Sequence, residues 1–517
     1  MGIVDKGQPN TSIIMRADDF LRRKPVDRIF QEEKASGDRG LRRRLGALDL
    51  TTMGIGAIIG TGIFVLTGVT AARFAGPAAV ISFLLAGIAA ALAALVYAEL
   101  AAMVPVAGSA YVYSYASLGE FAAWIVGWDL ILEYTVAAAA VAIGWSGYLV
   151  NLLESAGVTL PAALTAPPAM GGVVNLPALV VVGLVAGVLI LGTRESAIAN
   201  NVIVLVKLGA ILLFLFVGAL RLDPGLWVPF APFGIQGVVT GAAIVFFAYI
   251  GFDAISTAAE EVKNPGRDLP LGILGSLAVS SILYVMVALT LTGLVSYRFL
   301  NVASPLSFAL LQVGAPWASA AISVGALVGL SSVILVNIFG QSRVFFAMSR
   351  DGLLPPCFVR LHPRYGTPHI IILLTASLVA LIGGLLPIGL VAELANIGTL
   401  GAFVLVSVGV IVLRYTHPEL PRPFRVPLFP AVPILSGATS IYLMLNLPAH
   451  TWVRFLVWLT VGLIVYVVYG YRRSRLALEG RQGVPGREDP ALASCLAPPQ
   501  EGENAKTREP SHPEGEQ

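Results

Sequence analysis

The chain has 517 residues, of which 56% are hydrophobic and only 12% charged, with a net charge of +3. A soluble domain carries about 25% charged residues, so this composition excludes an ordinary soluble protein. With basic residues gathered at the ends of apolar runs and in the termini, it also argues against nucleic-acid binding.

Stretches such as Val80 to Leu95, Leu179 to Leu191, Leu274 to Leu294 and Ile371 to Leu386 contain no charge. A spanning helix needs about 20 mostly apolar residues, and inside a bilayer its backbone must satisfy itself. The fold class expected is an all-α integral membrane protein with about 12 transmembrane helices. The two cysteines, Cys357 and Cys495, supply neither a disulfide framework nor metal-ligand spacing.

In chain order, residues 1–45 are polar and charged, lack the apolar core of a cleavable signal, and form a cytoplasmic N-terminal segment. The first spanning helix is then its own insertion signal, and a short surface helix is expected from Asp19 to Glu33. The spans expected are 47–72, 77–103, 120–152, 176–192, 197–220, 236–259, 270–296, 317–348, 368–386, 390–413, 429–447 and 453–471. Breaks such as Gly76-Pro77, Asp223-Pro224, Asn264-Pro265-Gly266, Pro355-Pro356 and His362-Pro363 separate them. Grouped by repeat, residues 46–260 hold helices 1–6, 261–414 hold helices 7–10, 415–472 hold helices 11–12, and 473–517 form a disordered cytoplasmic tail rich in Pro, Gly and Glu. An even helix count puts both termini on one side. With that side inside, the outer loops contain only Arg73, Arg221, Arg298 and Arg454. The inner ones hold Arg42 to Arg44, Lys263, Arg267, Arg350, Arg360, Arg364, Arg472, Arg473 and Arg475.

Two spans are interrupted. In the first, Gly54, Gly56, Gly60, Thr61 and Gly62 stand in an apolar run, although Gly costs about 1 kcal/mol against Ala inside a helix. The spacing is not that of a nucleotide-binding loop, and no strand precedes it. Close packing through small residues is one reading. The other is a helix unwound at mid-membrane, whose second half offers N–H groups and a positive end to a carboxylate. In the sixth span, Gly251 and Asp253 interrupt the aromatic run Phe246-Phe247-Ala248-Tyr249-Ile250-Gly251-Phe252-Asp253. Two interruptions five helices apart are the mark of a transporter site built on two inverted five-helix repeats.

Charged residues within spans come next. Lys207 lies in the fifth, where a Lys costs about 2.5–3.5 kcal/mol at the bilayer centre. It is either a snorkelling or ion-paired lysine, or a buried amine that gains and loses a proton in place of a bound sodium ion. Glu133, one turn after Asp129 in the third span, is either a satisfied interhelical contact or a site wall favouring cationic substrates or proton relay. Glu260 and Glu261, beside Lys263 and Arg267, are expected to organise a cytoplasmic gate or loop.

At these residues the chain resembles the amino acid–polyamine–organocation superfamily, and within it the cationic amino acid transporter family and its bacterial members. The resemblance rests on LGALDLTTMGIGAIIGTGIFVLTG from Leu45, GWDLILEYTVAAAAVAIGWSGY from Gly127, FFAYIGFDAISTAAEEVKNPGRDLP from Phe246 and GQSRVFFAMSRDGLLP from Gly340. It covers residues 40–470. It implies a five-plus-five inverted repeat of the LeuT-like kind with discontinuous helices 1 and 6. It places the substrate carboxylate at Thr61 and the N–H of Gly62, next to Ile59 and Gly60, and the substrate ammonium at the carbonyls of Ile58, Phe247, Ala248 and Ile250. It assigns proton coupling without sodium to Lys207 and a side-chain pocket position to Asn337; Glu133 and Asn337 together favour a polar or cationic substrate side chain.

The function expected is secondary active transport of amino acids by alternating access, proton-coupled, with cationic and/or small neutral L-amino acids as substrates. An amino acid exchanger or a polyamine transporter is the alternative, and a channel or a membrane enzyme is the reading from another class. The five His residues form no HExxH or paired-ligand motif, and no cofactor, metal or catalytic residue is expected. Partners are the amino acid, protons and membrane lipids, with a small accessory membrane subunit as a further possibility and no nucleic acid. The location expected is a bacterial inner membrane.

Overall fold

The computed structural model describes residues 22, 24, 45–106, 109–192, 197–362 and 364–482. Apolar sequence with no alternation of polar residues folds here into helices whose backbone bonds stay within the segment, as a bilayer requires. The first span is two pieces, α1 (Ala47–Ile58) and α2, the turns Gly62–Leu66, Thr67–Thr70 and Ala71–Ala75. Then follow α3 (Ala79–Met103), the short α4 (Ser109–Ser117), α5 (Glu120–Ser155), α6 (Leu176–Leu191) and α7 (Ala197–Ala219). The sixth span is α8 (Gly234–Val245) continued by 3₁₀ turns at Phe246–Tyr249 and Phe252–Glu261. The remainder is α9 (Pro265–Leu294), the short α10 (Pro305–Gln312), α11 (Pro316–Arg350), α12 (His369–Leu385), α13 (Ile388–Thr416), α14 (Ala431–Leu445), α15 (Ala449–Val465, prolonged through Arg473) and α16 (Arg475–Gln482).

Among the described residues, eight helical stretches are long and apolar enough to cross a membrane, and shorter apolar helices complete the twelve expected spans. Their outward faces are apolar, with Leu84 and Ile88 on α3, Leu212 and Phe216 on α7, and Leu456 and Ile464 on α15 all exposed. Such a surface suits lipid and would be costly in water. The chain is therefore a multi-pass membrane protein. Inside, α9 packs against both α1 and α3, α5 against α11 and α13, and α7 against α11, α1 and α9.

Three segments differ from expectation. The first span runs to Ala75 rather than 72, because it restarts after its break and winds two wide π turns. Part of the expected disordered tail is helical: α16 begins where the Arg475 N–H bonds the Asp351 carbonyl at 3.1 Å, and Ala477 is buried. Residues 483–517 lie outside the described residues, as does the expected helix from Asp19 to Glu33 apart from Arg22 and Lys24. Lys24 is not on a surface: its Nζ lies 2.9 Å from Asp351 Oδ1, with both side chains under a tenth exposed. The Tyr111 hydroxyl donates to the other carboxylate oxygen at 2.8 Å. Burial alone would push the Asp351 carboxyl up, but the charges of Lys24 and Arg350 hold it below its ordinary range.

The expected gate region is seen as a backbone joint. The Leu45 N–H bonds the Glu261 carbonyl, and the Lys263 N–H bonds the Leu45 carbonyl, each at 3.0 Å. This pins the start of α1 to the end of the sixth span. The Glu260 side chain lies outside the described residues.

The sixth span turns at Gly251, where φ is 114°, a conformation only glycine adopts without strain. A Cβ there would also stand 3.0 Å from the Ala57 carbonyl oxygen. Gly251→Ala is therefore expected to destabilise the protein by about 1–3 kcal/mol, read as a lower unfolding temperature in detergent. Gly183→Ala, in open space on α6, should leave that temperature unchanged or raise it.

Candidate substrate site

The two breaks face each other. The first span leaves the helix at Ile59, whose ψ of 95° is extended, and resumes at Thr61 in helical geometry. A Cβ on Gly62 would fall 2.3 Å from the Ala248 Cα, so only glycine lets the restart of α2 touch the Phe246–Tyr249 turn. A helix end leaves its last carbonyls and first N–H groups without helical partners. Both kinds of orphan therefore meet at this crossing, inside the protein.

Tyr284 of α9 spans the crossing. Its hydroxyl lies 2.9 Å from the Ile58 carbonyl oxygen and 2.7 Å from that of Ala248. One hydroxyl carries one proton, so it serves the two carbonyls together only in part and leaves acceptor capacity on both. The Thr61 Oγ1, buried beside them, has no hydrogen-bond partner among the described residues.

A cavity opens at the crossing. It is lined by Ala57, Ile58, Gly60, Thr61 and Gly62 of the first span and by Phe247, Ile250, Gly251, Asp253 and Ala254 of the sixth. Tyr134, Ala137 and Val141 of α5 and Val333, Val336 and Asn337 of α11 close its sides. The expected residues Ile58, Gly60, Thr61, Gly62, Phe247, Ile250 and Asn337 are thus brought together. Ile59, also expected at the site, does not line the cavity: it is fully buried at the extended step between the two helix halves. Ala248 meets the site through its backbone.

Glu133 does not reach this cavity. The turn of α5 that faces it presents Tyr134, Ala137 and Val141, while Glu133 is buried outside the lining, close enough to Asp253 and Asp129 to interact with both. The carboxylate on the cavity wall is Asp253, whose Oδ2 accepts from the Ser109 hydroxyl at 3.3 Å and the Tyr134 hydroxyl at 3.4 Å. Sequence reading did not select Asp253, Tyr134 or Tyr284 as site residues. Asp253 stands two residues after the hinge glycine, a position that could have marked it, whereas Tyr284 carries no local signal. Asn337 lines the cavity and gives one Nδ2 hydrogen to the Val333 carbonyl at 2.8 Å, which leaves its second N–H and its Oδ1 beyond that bond.

Lys207 is wholly buried, and its Nζ donates to the Gly56 carbonyl oxygen at 2.8 Å. Its stem lies against Gly329 of α11, where a Cβ would be 2.7 Å from the Lys207 Cε. The amine therefore stands between the first and eighth spans, one turn from the break, and outside the cavity lining. Among the described residues, no group of three or more His, Cys, Asp or Glu is placed to hold a metal ion.

The profile of the family described as amino acid permease matches residues 45–469. The methylthioribose transporter of Bacillus subtilis (strain 168) is 50% identical over 459 residues, covering 88% of this chain and 99% of that one. The branched-chain amino acid permease BcaP of the same organism is 50% identical over 446 residues, covering 85% and 96%. The vacuolar cationic amino acid transporter 4 of Arabidopsis thaliana is 38% identical over 408 residues, covering 77% and 68%. A helical membrane protein with broken first and sixth spans, matched by this profile over most of its length, has a family: the chain belongs to the amino acid permeases of the amino acid–polyamine–organocation superfamily and is a transporter of amino acids, not an enzyme.

Proposed function

We propose that this transporter is a proton-coupled permease of a bacterial inner membrane, with both termini cytoplasmic, that takes cationic and small neutral L-amino acids by alternating access. The observation that carries the reading is the pair of facing breaks, which leaves carbonyls on one side and α2 N–H groups with the unpartnered Thr61 hydroxyl on the other. An ammonium suits the first and a carboxylate the second. Recognition of the zwitterion through backbone leaves the substrate side chain to the walls, which are mostly apolar with Asp253 at one place. The two Bacillus relatives, equally similar at 50%, are named for different cargo, so overall similarity does not select the side chain.

Proton coupling rests on Lys207. Its amine occupies the space between the first and eighth spans and bonds a carbonyl one turn from the break. An ammonium there donates to Gly56, while the neutral amine loosens that tie, which would couple protonation to movement of α1. In proteoliposomes, an inward proton gradient should drive accumulation of labelled alanine or arginine without sodium. Lys207→Met should abolish accumulation. Undiminished accumulation by that variant, or a requirement for sodium, would overturn the assignment.

Asp253 supports the cationic side of the substrate range. Asp253→Asn should weaken arginine binding about tenfold or more and alanine binding by much less, as measured by isothermal titration. Glu133→Gln, off the cavity, should change the ratio of the two little. Equal losses for both substrates in Asp253→Asn would remove its role in selectivity.

Tyr284 supplies a stability test of where the ammonium sits. Tyr284→Phe leaves two buried carbonyls without their donor, at about 1–3 kcal/mol. The unliganded variant should therefore unfold at a lower temperature than the unliganded parent. Saturating substrate should reduce that deficit, because its ammonium supplies the missing donors. A deficit that substrate does not reduce would place the ammonium elsewhere.

A further inference from the structure

The broken sixth span raises a question that its own sequence does not answer. Its first half, α8, ends at Val245, where the carbonyls of the last turn lose regular helical pairing and the Phe246 N–H is shared between those of Ala242 and Ile244. Two of them, Ala243 and Ile244, are met from outside the span. The side-chain amide of Asn396, on α13, donates from Nδ2 to both carbonyl oxygens at 2.9 Å each. Asn396 is completely buried, and an amide nitrogen has two N–H groups, so both donors are used. Its Oδ1 has no partner among the described residues, so the side chain is held there by what it gives to α8.

Phe403, seven residues along the same face of α13, touches both sides of the break. Its ring lies 6.2 Å from that of Phe246, before the break, and stacks at 5.2 Å on Phe252, after it. The cavity-lining residues Phe247, Ile250 and Gly251 fall between these two anchors.

We infer that Asn396 is a positioning residue for transport: from the tenth span it holds the sixth span open at its break, with Phe403 as a second brace, and so sets the carbonyl wall of the substrate cavity. This rests on the proposed use of that cavity. Asn396 does not touch the cavity itself; it acts through the backbone of α8. Asn396→Leu keeps the size and removes the donors.

The test combines equilibrium binding of alanine, leucine and arginine to purified protein with initial uptake rates in proteoliposomes. Asn396→Leu should raise the dissociation constant and the half-saturation concentration by about tenfold or more. The maximal rate should change by less than about threefold, since the loss falls on binding. The pH dependence of uptake should be unaltered. Unchanged binding, or a fall in maximal rate at unchanged half-saturation, would overturn the inference, because a packing role alone predicts fewer active molecules with normal affinity. If Asn396→Leu gives no folded protein, Phe403→Leu carries the same expectation and the same refutation. Parent protein that binds none of the three amino acids would refute the cavity assignment, not the role of Asn396.

Discussion

A bilayer offers no water to an unpaired backbone group, and this constraint governs the whole molecule. Most of the chain meets it with unbroken helices. At Ile59–Gly60 and Ile250–Gly251 the chain violates it, and the surrounding structure compensates for the violation. Tyr284 reaches from α9 to the freed carbonyls of Ile58 and Ala248, and Asn396 reaches from α13 to those of Ala243 and Ile244. Polar groups thus stand inside the protein, partly paired by neighbours and, on the proposed reading, partly left for a ligand.

The same economy explains the glycines at the crossing. Gly62 has no room for a Cβ against Ala248, and Gly251 combines close contact with Ala57 and a left-handed backbone. The two breaks touch because both partners have given up side chains. Lys207 sits one step behind them. Its bond to Gly56 ties α7 to the first span, and Gly329 makes the space for its stem. On the proposed proton coupling, this amine–carbonyl bond is the contact that deprotonation would weaken.

Several helix ends are tied by longer-range bonds. Lys24 and Asp351 are separated by 327 residues, yet they pair directly in a buried setting. Glu99 accepts from Arg414 and from the Val426 N–H at 2.7 Å, joining α3 to α13 and the loop beyond it. Removing one member of such a buried pair leaves a charge without compensation, which is why these contacts constrain more than exposed pairs do.

The amino-acid sequence by itself determined the membrane class, the number and order of the spans, and the positions of both breaks. Each is a property of consecutive residues: apolar length, glycines within a run, a lysine where none should be. It also selected much of the cavity lining, because the breaks carry their own residues with them. Tertiary structure alone decided which side chains stand against the breaks. Tyr134 rather than Glu133 faces the cavity, since a rotation of about 100° per residue separates neighbours on a helix and only packing chooses the face. Tyr284 and Asn396 lie 36 and 152 residues from the backbone they satisfy, and nothing local to a tyrosine or an asparagine says which distant carbonyl it will meet.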